Sequence, residues 1–141
     1  HDVPVLALTI GKGGQIWLTG GSEGGLQKLE LAAGQASLVA DVLLGGPLQD
    51  CLAADPNTGN LWLSSFGEAK IGRYSPSSGE ITWYSLPIVE YDTTMYAWSV
   101  PYGQDELSTI KVRTEVNAMA VDINGNLWFA HGSTIGMIPA P

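Results

Sequence analysis

Charge is scarce in this chain, and positive charge scarcest. Only 14% of its 141 residues are Asp, Glu, Lys or Arg, and six Lys/Arg stand against 14 Asp/Glu, for a net charge of −8. No cluster of basic residues exists to neutralise phosphates, which excludes nucleic acid as an expected partner. The acidic balance suits solubility and is compatible with cationic ligands. Cysteine occurs once, at Cys51, so no intrachain disulfide can form. No apolar run approaches the roughly 20 residues of a membrane-spanning helix. Sustained 3.6-residue apolar periodicity is missing too, which removes helical architectures. Gly13-Gly14 and Gly24-Gly25 do not sit in a G-x-G-x-x-G run before a helix, so nucleotide binding has no support.

Apolar residues make up 45% of the chain, punctuated by 18 glycines and eight prolines. That balance describes a compact, turn-rich all-β protein and argues against disorder. Within it one pattern recurs three times, at Gln15-Ile16-Trp17-Leu18-Thr19, Asn60-Leu61-Trp62-Leu63-Ser64 and Asn126-Leu127-Trp128-Phe129-Ala130. A turn-like run precedes each copy, and a second apolar segment follows: Gly25-Leu26-Gln27-Lys28-Leu29, Lys70-Ile71-Gly72-Arg73-Tyr74 and Thr134-Ile135-Gly136-Met137-Ile138. Trp17 and Trp62 are 45 residues apart, a usual length for a propeller blade; Trp62 and Trp128 are 66 apart, one period plus an insertion.

The repeat predicts an all-β, partial β-propeller of about three four-stranded antiparallel blades, over 1–45, 46–87 and 115–141, with an insertion at 88–114. In the second repeat the strands are expected at 50–54, 61–65, 70–75 and 81–86, and in the first the outer strand is expected at 37–42. The third repeat reaches only a third strand. Closed propellers have four to eight blades, so this chain is expected either to belong to a longer propeller or to pair with a second copy, a homodimer completing one ring. The numbering starts at His1 without an initiator Met, so a processed or cut N-terminus is expected.

Several residues invite a chemical role. Cys51 lies in the apolar run Cys51-Leu52-Ala53-Ala54 with no basic partner near in sequence, the pattern of an inert thiol. The oxygen-rich runs Asp55-Pro56-Asn57-Thr58-Gly59-Asn60 and Asp122-Ile123-Asn124-Gly125-Asn126 fall short of a calcium loop and read as hairpin turns. Trp17, Trp62 and Trp128 are each expected to pack between neighbouring blades. Strand order in a meander puts the loops at 20–25, 65–69 and 131–133 on one face, with the 88–114 insertion opening there. Candidate ligand-binding residues on that face are Asp50, Ser65, Asn117 and His131, joined by Tyr96, Trp98 and Tyr102 of the insertion. His131 is the one candidate base, since a histidine titrates near neutrality. Aromatics beside carboxylates suit a small peptide or carbohydrate ligand by stacking and cation–π contact. The plainer reading of the insertion is an extended hairpin, 91–100 against 107–116.

Asn60-Leu61-Trp62-Leu63-Ser64, then Lys70-Ile71-Gly72-Arg73-Tyr74, then Gly79-Glu80-Ile81-Thr82-Trp83-Tyr84-Ser85-Leu86-Pro87 resembles one blade of the streptogramin B lyase (virginiamycin B lyase-like) propellers. That family repeats G-N-L-W-F-T-E, R-I-G-R-I and G-E-I-T-E-Y-P-L-P. The third repeat looks similar again, and the first is similar to blades of two-component regulator sensor propellers. The resemblance implies a propeller fold, an extracellular or periplasmic location and, for an enzyme of that kind, elimination on a cyclic peptide ester with Mg²⁺. It places a histidine near the start of an inner strand and Glu or His at the ends of second strands. Here those places hold Asp50 and Asn117, and Gly20, Ser65 and His131. The set departs from the lyase pattern, so the leading expectation is a non-catalytic binding or scaffold module with no cofactor. The alternatives are a Mg²⁺-dependent lyase or part of a sensor propeller.

Overall fold

The structure, a computed structural model, describes residues 5–20, 24–44, 50–65, 68–87, 90–96, 107–113, 116–132 and 134–141. The first sheet is a meander of β1 (Val5–Ile10), β2 (Ile16–Gly20), β3 (Gly25–Ala32) and β4 (Gln35–Leu43). The second repeats it with β5 (Leu52–Ala54), β6 (Leu61–Ser65), β7 (Lys70–Ser75) and β8 (Glu80–Ser85). β9 (Glu90–Tyr96) and β10 (Leu107–Arg113) form a separate two-stranded hairpin, paired from Glu90 with Arg113 to Tyr96 with Leu107. A three-stranded meander follows, of β11 (Val116–Val121), β12 (Leu127–His131) and β13 (Thr134–Ile138). An extended hairpin, as expected for the insertion, is therefore present over Glu90–Tyr96 and Leu107–Arg113, and the rest of the expected 91–100 strand lies outside the described residues. The second and third strands of the middle repeat fall where the sequence puts them. The first starts later, at Leu52, because the Cys51 N–H is taken by the Ser64 hydroxyl at 3.0 Å.

The β5–β6 and β11–β12 connections close as tight turns on glycines with positive φ. Gly59 sits at φ 83° and Gly125 at φ 86°, a backbone region that disfavours any residue with a Cβ. Asp55 organises the first turn by accepting from the Asn57 and Thr58 amides and, at 2.5 Å, from the Thr58 hydroxyl. Asp122 organises the second, accepting from the Asn124 and Asn126 amides at 2.9 and 3.0 Å. These carboxylates serve as turn acceptors.

Residues paired across a meander share a face, and this sorts each sheet into two sides. One side carries the repeated tryptophan. Trp17 pairs with Thr9 and Lys28, Trp62 with Ala53 and Arg73, and Trp128 with Ala120 and Met137. Two pairs further along come Leu26, Ile71 and Ile135. The other side carries Leu18, Leu63 and Phe129, with Ile16, Leu61 and Leu127 beside them.

The cores lie between sheets. Trp17 and Leu26 pack with Leu61, Leu63 and Tyr74, so the tryptophan side of the first sheet meets the leucine side of the second. Ala53, Trp62 and Ile71 pack with Val116, Leu127 and Phe129, which repeats the same arrangement between the second and third. Trp62, Leu61, Leu63, Ile71 and Leu127 are all essentially out of solvent. Each such burial contributes about 1.5–3 kcal/mol. Trp128 differs from the expectation: it is 45% exposed, because none of the described sheets packs on its side of the third sheet.

Turns at one end of the sheets lock together in chain order. Lys12 Nζ donates to the Asn57 carbonyl at 2.9 Å, and Asn57 Nδ2 donates to the Ile123 carbonyl at 2.9 Å. The three sheets thus stand side by side, first to third, at that end.

Candidate functional site

The opposite end collects the starts of β1, β5 and β11 and the β2–β3, β6–β7 and β12–β13 connections. Chain connectivity brings the β9–β10 hairpin out of this end after β8 and back into it before β11. Aligned on the tryptophans, Leu6, Asp50 and Asn117 hold one equivalent place, and Gly20, Ser65 and His131 another. In the first and third sheets the former place is a bulge. Val5 pairs with Gly20 and Ala7 with Thr19, leaving Leu6 unpaired, and Asn117 is skipped likewise between Val116 and Ala118. A bulge turns a strand end out of the ladder and presents its residue differently from its neighbours. Asn117 is exposed there.

Asp50 accepts a hydrogen bond from the Ser64 hydroxyl, whose oxygen in turn accepts from the Cys51 amide. Ser64 is 1% exposed, on the Trp62 side of β6. Sequence reasoning misses Ser64; the signal that marks it is a hydroxyl on the face that otherwise carries Trp62 and Ile71. Cys51 Sγ donates to the Val116 carbonyl at 3.3 Å, tying the second sheet to the third. Burial, and next the Asp50 charge, push the Cys51 thiol up, with only the Ser64 contact acting the other way. A thiol held in its protonated form is a poor nucleophile, so its contribution is structural.

Ser65 is 4% exposed on the opposite side of β6 and donates to Glu68 Oε2 at 3.3 Å. Lys70 Nζ reaches the same oxygen at 3.3 Å, an exposed ion pair of small energetic weight. Glu68 was also missed, although its position three residues after Ser65 and two before Lys70 is visible in the sequence.

His131 closes β12, paired with Val116, and its carbonyl accepts from the Thr134 hydroxyl at 2.8 Å. It is 4% exposed, and strand alternation puts it on the Phe129 side, toward the second sheet. The structure therefore brings Asp50, Ser65, Asn117 and His131 to one end but distributes them. Asp50 and His131 belong to the seam between second and third sheets, and Ser65 to the seam between first and second. Tyr96 is the last residue of β9. Trp98 and Tyr102 lie outside the described residues. Among the described residues no three or more His, Cys, Asp or Glu side chains gather in a way that could hold a metal ion.

These features define an all-β protein of antiparallel three- and four-stranded sheets packed face to face through a repeated tryptophan seam. The chain matches no family model and no curated protein sequence.

Proposed function

We propose that the three sheets are consecutive blades of a propeller, and that the chain is a non-catalytic binding or scaffold module. Its ligand end is the one bearing Asp50, Asn117 and the 88–114 insertion. The observation that carries this reading is the contrast between the two ends of one repeated frame. At the turn end, Lys12, Asn57 and the Ile123 carbonyl interlock the sheets. At the other end equivalent places diverge chemically, as Leu6, Asp50 and Asn117, and as Gly20, Ser65 and His131. The insertion joins that end. Variable groups held by a repeated scaffold are how binding surfaces are built. A binding role is favoured over catalysis because Asp50 and Ser65 are engaged by Ser64 and Glu68, and His131 is shut between sheets.

Aromatic and acidic residues in the insertion suit an oligosaccharide or a cationic peptide. Calorimetric titration with a chito-oligosaccharide and with an arginine-rich peptide tests this. Binding of one of them is expected to survive His131→Ala and to weaken at least tenfold in Trp98→Ala. Failure of both probes sinks the reading. A Mg²⁺-dependent thermal shift abolished by His131→Ala would turn it toward the lyase.

A further inference from the structure

Two seams of identical design hold this protein together, and their two component faces each recur once more on its outside. The tryptophan sides of the first and second sheets bury Trp17 and Leu26, at 4% and 0% exposure, and Trp62 and Ile71, at 1% and 0%. At the same places on the third sheet, Trp128 is 45% exposed and Ile135 78%. Met137 stands where Lys28 and Arg73 stand in the other sheets, so this copy of the face is the more apolar. Ala118, Ala120 and Ala130 leave an open depression of about 210 Å³ around Trp128 and Ile135. The first sheet offers the counterpart. Its leucine side aligns Leu8 and Ile10 with Leu52 and Ala54, yet Leu8 is 58% and Ile10 67% exposed. Val5, Leu31, Leu38 and Leu43 extend that patch, at 54–69% exposure.

We propose that the Trp128 face of one copy receives the Leu8 face of a second copy, and reciprocally, so that two chains form a closed head-to-tail pair. The partner is specified by the chain itself: the face that covers Trp17 and Trp62 is in each case a leucine side, and among the described sheets the leucine side of the first is the one left with exposed apolar residues, around a buried Leu18. Apolar patches of this kind on a free molecule mark an interaction surface. Contact between two different faces is heterologous, and it ends in a ring if the rotation closes. Two copies supply six three- or four-stranded sheets besides their hairpins, within the four to eight blades that propellers use. The proposal needs the sheet repeat but not the ligand end, so loss of ligand binding would leave it untouched.

Light scattering on a size-exclusion column tests it with the full chain. A mass about twice the 14.9 kDa of one chain is expected. Leu8→Glu and Ile135→Glu change exposed side chains on different sheets, and each is expected to return the mass to that of one chain with an unchanged circular dichroism spectrum. A monomer at the highest soluble concentration overturns the proposal and leaves both faces to other partners. A dimer that survives Leu8→Glu overturns it in favour of a symmetric contact between two Trp128 faces. An open-ended series of larger species overturns the closed pair.

Discussion

Asp122 shows how a single side chain can fix a turn and a strand at once. Besides the two turn amides, its carboxylate accepts from Asn126 Nδ2 at 2.9 Å and from Trp128 Nε1 at 3.0 Å. These bonds, the one from Trp128 foremost, lower its pKa from 3.8 to about 2, against the opposing pull of desolvation. A depressed folded-state pKa stabilises the fold above the unfolded value and loses that contribution as pH falls through the folded one. Thermal unfolding followed from pH 5 to pH 2 is thus expected to show a decline between about pH 4 and pH 2 that is smaller in Asp122→Asn. The equivalent Trp62 has no such partner among the described residues: its Nε1 is buried without a hydrogen bond, and Asp55 is spent on Asn57 and Thr58 in a turn one residue longer. The sequence marks Asp122 as a turn residue. Its hold on Trp128 was not legible, because that bond depends on turn length and on which way the indole lies.

Among the strands, the third in the second and third meanders is shaped by what its glycine admits. Gly72 pairs with Leu63 and with Trp83, and an added Cβ would stand 2.9 Å from the Trp83 ring and 3.0 Å from Ile81. Gly136 pairs with Phe129, whose ring lies over it and would collide with a Cβ. Phe129 is 9% exposed and belongs to the core between second and third sheets, so it has little room to yield. Gly136→Ala is expected to destabilise by about 1–3 kcal/mol, measured by urea unfolding. Paired with Phe129→Leu, the same change is expected to cost less than the two changes summed, because the colliding ring is gone. The Ile-Gly pairs at 71–72 and 135–136 stood out in the sequence as part of the repeat. Their reason is the cross-strand partner, which strand register alone supplies. The outer strand of the first sheet was less legible: 37–42 was expected and Gln35–Leu43 is observed, with a register shift opposite Lys28 and Leu29.

Across the whole molecule, equivalent residues have unequal weight because the sheets have unequal neighbours. Trp62→Ala removes an indole from a filled seam and is expected to cost about 3–5 kcal/mol in urea unfolding. Trp128→Ala, measured at a concentration low enough to keep chains apart, is expected to cost clearly less. Equal losses would mean that the Trp128 face is covered within one chain. The three tryptophans, their turns and their following strands were readable from the sequence alone because strand alternation and turn chemistry are local: they need only the spacing of apolar residues, glycines and aspartates. Burial is not local. Which side of each sheet is covered, that Asp50 is held by Ser64, that His131 is shut between sheets and that Trp128 is not, were decided by how sheets stack, since a side chain loses its water only when a distant part of the chain arrives to replace it.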